Sequence, residues 1–225
     1  MSGRQRIKCK DMFENIRADW QAHGRSWEVQ GFWAMLIYRF GRWRYQVRPI
    51  WLRKPLSLIY RILFKFVQIV TGIELPCEAE VGRNFVIDHY GGIVVSGYAK
   101  FGDNCRIRTG VVVGLSRTED PCAPVFGNNV DIGAGAKVLG PIRIGNNVCI
   151  GANAVVICDV PDDSTAVGVP AVIKWSAAER RKRQRNQAAD LANTLTSREL
   201  PDSSSTSPEV PVRGARSPSR IAADA

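Results

Sequence analysis

From Phe126 onward one large apolar residue returns every six positions, through Ile132, Val138, Ile144, Ile150 and Val156. Glycine follows four of them, as Gly127, Gly133, Gly145 and Gly151. A second ladder runs four places later, through Val130, Ala136, Ile142, Val148, Ala154 and Val160. An α-helix cannot hold a period of six on one face, and a plain strand alternates every two residues. Six suits a coil of short strands and tight turns, in which each hexad forms one side of a triangle. The large aliphatic points inward, the smaller residue fills the corner, and glycine or asparagine supplies the turn conformation. A glycine-rich sheet of another kind would not keep two ladders in step for six hexads.

The ladder also runs backward. Val95, Phe101, Ile107 and Val113 are in step, with Ala99, Cys105 and Val111 in the second ladder and Val81 and Ile87 earlier still. Two breaks interrupt it. Ile87 to Val95 is eight residues, two more than a hexad, and Val113 to Phe126 is thirteen, one more than two hexads. The second break contains "GLSRTEDPCAP", a polar, proline-containing stretch that reads as a loop leaving the coil. Irregularities on a regular scaffold are where function tends to sit. The first break, in "FVIDHYGGIVV", holds His89, one of only two histidines in the chain.

Composition divides the 225 residues into three regions. Residues 1–74 hold five of the six tryptophans and are expected to be helical; residues 75–175 form the coil. Residues 176–225 begin with "AAERRKRQRNQ" and drift into Ser, Pro and Arg, which predicts a flexible basic tail. Six cysteines without a C-x-x-C pair, and only two histidines, argue against a zinc site, so no metal is expected. The N-terminal residues lack the order of a signal peptide, and the thiols suit a reducing compartment, so a cytoplasmic protein is expected. The charge of +10 lies on a greasy helical region and on the tail, with no recognisable nucleic-acid module, so nucleic acid is not an expected partner.

The hexad array, "IDHYGGIVV", "IGAGAKVLGPIRIGNNVCIGANAVV" and the closing "AVGVPAVI" resemble the serine acetyltransferase family over about residues 73–174. "GFWAMLIYRFGRW" through "VTGIEL" is similar, more loosely, to the helical domain before the coil in compact members. The resemblance implies a mainly β protein, a left-handed parallel β-helix of hexapeptide repeats with an N-terminal α-helical segment. It also implies a homotrimer that uses acetyl-CoA to acetylate an acceptor hydroxyl directly. The family's catalytic histidine matches His89, and its carboxylate partner, an aspartate fifteen residues earlier, matches Glu74. An alcohol is a poor nucleophile at neutral pH, so an imidazole must take its proton as it attacks the thioester. A carboxylate on the other ring nitrogen fixes the tautomer and stabilises the imidazolium. Asp88 matches the residue that helps bind the acceptor's amino group, with a turn role as the alternative. Gly114, Ala134, Gly135 and Ala152 match the lining of the acetyl-CoA cleft, with Lys174 for phosphate.

The chain also departs from the family. Cys122, Ala123 and Pro124 stand where an Arg-His-Pro grips the serine carboxylate, and Leu115 follows Gly114 where the family pairs two glycines. An acidic Asp-Pro-Ala has no clear counterpart in "QAHGRSWE". A zwitterion without its charge partners is costly to desolvate, so free serine is not the expected acceptor. Residues 29–73 contain no Asp or Glu but carry Arg39, Arg42, Arg44, Arg48, Arg53, Lys54, Arg61 and Lys65. Arg61, Lys65 and Gln68 fall on one stripe of an otherwise apolar helical pattern, which either packs on the coil or a neighbouring subunit or lies on an anionic membrane surface. The expected function is O-acetylation of a sugar or polysaccharide precursor. Serine O-acetylation is the alternative enzyme reading, and a non-catalytic CoA-binding scaffold is the alternative outside enzymes.

Overall fold

The computed structural model describes residues 9–116 and 122–175, with side chains from Met12 onward. The tail expected at 176–225 and part of the 114–124 loop lie outside the described residues. Three helices come first: α1 (Cys9–Ala22), α2 (Gln30–Arg44) and α3 (Ile50–Thr71). Short strands follow, and each strand falls in a different sheet from the one before until the last hairpin.

The first sheet stacks β1 (Ile73–Glu74), β4 (Ile93–Val95), β7 (Val112–Gly114), β10 (Lys137–Leu139) and β13 (Val155–Val156). The second stacks β2 (Glu80–Val81), β5 (Lys100–Phe101), β8 (Val125–Phe126) and β11 (Arg143–Ile144). The third stacks β3 (Val86–Asp88), β6 (Arg106–Arg108), β9 (Asp131–Ile132), β12 (Cys149–Ile150), β14 (Ser164–Val167) and β15 (Val172–Trp175). Pairing is parallel except between β14 and β15, which close the third sheet as an antiparallel pair. The triangular coil expected from the hexads is therefore present. Its first strand begins at Ile73, because Gly72 ends α3 at φ 64° and turns the chain straight into β1.

Register locates both irregularities. Val95 pairs with Val113 and Val138 with Val156, each 18 residues on, which is three hexads. Ile73 pairs with Ile93, Val81 with Phe101 and Ile87 with Ile107, each 20 residues on. The only interval common to those three spans is 87–93, so the two surplus residues sit there. Lys100 to Val125, Arg106 to Asp131 and Val113 to Val138 are each 25 residues, which confines a seven-residue surplus to 113–125. The second break is thus one side of the triangle plus seven residues, rather than two hexads plus one.

The interior is filled by the inward column of each sheet. Ile87, Ile107, Ile132 and Ile150 are stacked and fully buried, each worth about 1.5–3 kcal/mol of apolar transfer. Phe101 stacks flat on Phe126 at 4.4 Å between centroids and meets Phe85 edge-on at 5.1 Å. One corner is held by a polar ladder. Asn84, Asn104, Asn129, Asn147 and Asp163 all take left-handed φ of 52–58°. Each asparagine amide donates to the next residue's side-chain oxygen at 2.9–3.1 Å.

The helices close the open end of the coil. Strands β1, β2 and β3 have no coil below them, and unpaired strand edges must be covered or paired. Tyr38 hydroxyl donates to Ala79 oxygen at 2.8 Å and accepts from Val81 N–H at 3.0 Å. Arg39 donates to the carbonyls of Val81 and Gly82 at 3.1 and 2.6 Å while held at 2.8 Å by Asp19. The Asp19–Arg39 pair is buried, so its hydrogen bonds to the sheet edge are what make it tolerable. Burial pushes Asp19's carboxyl up, against the opposing pull of Arg39. Among the described residues no buried side-chain nitrogen or oxygen lacks a partner.

Candidate active site

His89 lies between β3 and β4, inside the interval where register places the two surplus residues. Its φ is 64°, with Gly91 at 98° and Gly92 at 66°, so the segment bulges away from the coil. A non-glycine residue in that region carries strain, and histidine is among the types that tolerate it. His89 and Tyr90 are both exposed on the outside of the corner. The bulge is nonetheless fixed from above. Thr109 hydroxyl lies 3.0 and 2.8 Å from the carbonyl oxygens of Tyr90 and Gly91, and Gly110 N–H donates to Gly91 oxygen at 2.9 Å. From below, the α3–β1 junction presses on it: a Cβ added to Gly72 would sit 3.2 Å from Gly91 Cα.

Strand β3 is clamped on its helical side as well. His23 donates from Nδ1 to Asp19 carbonyl oxygen at 2.7 Å, and its Nε2 accepts from Ile87 N–H at 3.2 Å. Those two bonds assign its tautomer and make it the cap of a sheet edge two residues before His89. Nothing in the sequence marks His23 for this place. Its only signal was its place just after a helix, followed by Gly24, which says nothing about a strand 64 residues on.

Glu74 occupies β1, one coil below β4, paired in register with Val94. It therefore sits two residues past the glycine that supports the bulge. Its Oε2 accepts from Gln68 Nε2 at 2.9 Å, and Gln68 Oε1 accepts from Lys65 Nζ at 2.8 Å. Among the described residues no hydrogen bond joins Glu74 to His89. The carboxylate is instead anchored to α3, and Gln68 is a neighbour of the site that the sequence placed only on a polar stripe.

Asp88, matched by the resemblance to a residue that helps bind an acceptor's amino group, lies beside two arginines of β6. Its Oδ2 is 2.8 Å from Arg106 Nη1 and 3.9 Å from Arg108 Nε, and Arg108 also pairs with Asp131. The register brings these groups together: Asp88 is opposite Arg108 on β3 and β6, and Arg106 lies two residues away on the same face, so the close pair is the diagonal one.

The residues matched to the acetyl-CoA cleft fall in two places. Ala134 and Gly135 lie between β9 and β10, and Ala152 lies one coil further, between β12 and β13. Asn153 N–H donates to Ala134 oxygen at 2.8 Å, which locks the two turns together. These turns share one edge of the prism with the His89 bulge. A Cβ on Gly92 would meet Gly110 Cα at 3.6 Å, and one on Gly110 would meet Gly135 Cα at 3.3 Å. Successive coils rise about 4.8 Å, so His89 and Ala152 are separated by roughly 14 Å along that edge. Gly114 closes β7, the middle strand of the first sheet, at the strand end away from Gly110, and Lys174 is exposed on β15 opposite Thr165.

Cysteine chemistry finds no support nearby. Burial pushes the Cys105 thiol up to about 11, so it stays protonated and behaves as a core residue. Among the described residues no group of His, Cys, Asp and Glu could hold a metal ion.

Three sheets of parallel-stacked strands built on an 18-residue coil with two insertions, closed by one antiparallel pair, with a histidine bulge and a small-residue edge, define a hexapeptide-repeat transferase architecture. The family model described as bacterial transferase hexapeptide (six repeats) matches residues 123–158. The serine acetyltransferase of Helicobacter pylori strain J99 is 38% identical over 163 residues, which are 70% of this chain and 91% of that protein. That of Synechococcus elongatus is 37% identical over 67% of this chain, which spans only 59% of the cyanobacterial protein. An Escherichia coli K12 acetyltransferase named for colanic acid biosynthesis, WcaB, is 34% identical over 72% of this chain and 98% of its own length. The crystal structure of Brucella abortus serine acetyltransferase in complex with coenzyme A superposes with a TM-score of 0.65 at 28% identity, covering 75% of this chain and 69% of that one. The chain belongs to the serine acetyltransferase family of hexapeptide-repeat acyltransferases.

Proposed function

We propose that the chain is an acetyl-CoA-dependent O-acetyltransferase whose general base is His89 and whose acceptor is a sugar hydroxyl of a polysaccharide precursor. The observation that carries this reading is the bulge: an exposed imidazole at φ 64° in the coil's two-residue surplus, on the same edge as Ala134, Gly135 and Ala152. His89 takes the acceptor's proton as the hydroxyl oxygen attacks the acetyl carbonyl carbon. The tetrahedral intermediate collapses with cleavage of the C–S bond, and the imidazolium returns the proton to the departing CoA thiolate. Glu74 orients the ring and offsets the imidazolium charge, which requires its carboxylate to turn from Gln68 toward His89 when substrate binds. The small residues of the edge leave backbone within reach of the pantetheine arm, and Lys174, exposed on β15, is offered to a CoA phosphate.

Two features favour a sugar over serine. Asp88 is already paired with Arg106, and the 122–124 segment offers Cys, Ala and Pro where a carboxylate would need a cation. Serine is the second reading, favoured by the names of the Helicobacter and Synechococcus relatives; the colanic acid homologue leans the other way. The test is acetyl-CoA consumption by the purified chain with L-serine and, separately, with bacterial oligosaccharide repeat units. Acetylation of the oligosaccharide with little serine turnover is expected. Rapid turnover of serine alone would overturn the sugar assignment.

A further inference from the structure

Helix α3 shows the coil only a narrow strip. Tyr60, Val67 and Thr71 are its buried residues, and Phe64 packs partly against the core. The opposite side is apolar and bare. Trp51 and Ile69 are each 76% exposed, Ile62 is 61% and Phe66 is 56% exposed, with Leu58 and Val70 beside them. Spacings of 51, 58, 62, 66 and 69 place these side chains on one face pointing away from the fold. An exposed stripe of this kind marks an interaction surface rather than a free surface.

The flank of the stripe says what covers it. Lys54, Arg61 and Lys65 run along one side, and Arg53, Lys54, Ser57, Leu58 and Arg61 line a shallow hollow of about 330 Å³. No acidic residue occurs between 29 and 73, so nothing on α2 or α3 neutralises these cations. A protein partner matched to an apolar stripe does not require an acid-free surface, whereas an anionic bilayer rewards both halves at once. Phosphate headgroups meet the basic flank, and the apolar face enters the acyl boundary. The 22 residues of α3 span about 33 Å at 1.5 Å per residue. They carry charge along their length, and no helix of the described residues is long and apolar enough to cross a membrane. The helix would therefore lie flat.

We propose that the apolar face of α3 and its basic flank dock the protein on an anionic phospholipid surface. The helix ends at Gly72, directly beneath the His89 bulge, so docking brings the histidine edge up to the headgroup layer. An acceptor carried on a lipid would then meet the base without leaving the membrane.

The docking itself is tested without substrate, so its outcome does not depend on the acetylation reading. The purified full chain is sedimented with phosphatidylcholine vesicles and with vesicles in which about a third of the lipid is phosphatidylglycerol, at low and high salt. Binding to the anionic vesicles only, falling at least tenfold in high salt, is the expected result. Arg53→Glu with Lys54→Glu and Arg61→Glu should abolish it, and Ile62→Glu with Phe66→Glu should abolish it at any salt. Circular dichroism and sedimentation velocity confirm that each variant is folded. Equal sedimentation with neutral and anionic vesicles, or none, overturns the proposal. So does a wild-type assembly that halves in mass in the Ile62→Glu, Phe66→Glu variant while never binding vesicles, because a second copy would then be the occupant.

Discussion

A histidine at φ 64° on an exposed corner is a costly place for a side chain that does nothing. Two residues tied to the site differ in kind. Glu74 is anchored by Gln68 from α3, while Thr109 fixes only the backbone of the bulge, leaving the imidazole itself unrestrained from that side. A general base contributes about 10²–10⁴ in rate. His89→Ala is therefore expected to lower kcat for acetyl transfer by at least about 10², measured by release of free CoA, with the circular dichroism spectrum unchanged. Glu74→Gln keeps the bond to Gln68 within reach but removes the charge, so a smaller loss of about tenfold is expected. If the two variants lost activity equally with an altered spectrum, Glu74 would be holding α3 rather than the imidazole. The contrast with His23 is instructive. That residue has both ring nitrogens committed to backbone groups, which leaves no lone pair for a substrate proton.

The strands could be seen in the sequence because a hexad forces one inward residue per side, and Phe126, Ile132 and Val138 duly head three successive sides of the prism. The His89 bulge could be seen for the same reason, as a count that fails to close. Two other features could not. The helical cap depends on contacts across more than 40 residues, such as Tyr38 with Ala79 and Arg39 with Gly82, and no local periodicity encodes them. The pairing of Asp88 with Arg106 depends on registers of 20 residues, which emerge only once the surplus residues have been placed. The asparagine corner lies between these cases: its members recur, but at intervals of 20, 25, 18 and 16 that hide the ladder. Each rung combines a left-handed residue with an amide bond to the next coil. At Asn129, φ 56°, glycine would keep the conformation and lose the bonds, while alanine would lose both. A hydrogen bond is worth about 1 kcal/mol and the left-handed penalty adds about 1–2 kcal/mol. Urea midpoints should accordingly fall in the order wild type, Asn129→Gly, Asn129→Ala. Equal midpoints for the two variants would mean that the ladder bonds, not the backbone, set the corner's stability.

At the scale of the molecule, the proposed donor site lies on a convex edge. Ligand pockets are concave and cover most of what they bind, and the edge running from His89 past Gly110 to Ala152 is half-buried to exposed along its length. One prism cannot supply the second wall. A neighbouring copy set against this edge can, which gives the trimer implied by the resemblance a chemical reason. Purified chain should therefore sediment near three times 24.9 kDa, and acetyl-CoA should stabilise that assembly rather than the dissociated chain. Ligand at about 100 times its Kd adds about 2.7 kcal/mol of stability. For a chain of this size each kcal/mol raises Tm by roughly 2–4 °C, so a shift of roughly 5–10 °C is expected by differential scanning fluorimetry. His89→Ala should retain the shift while losing turnover, because the histidine meets the acceptor proton and not the pantetheine arm. A variant that lost both would move His89 from catalysis to donor binding. A wild-type chain that sedimented as a monomer yet showed the full shift would mean that one edge suffices for acetyl-CoA, and the second wall would be unnecessary.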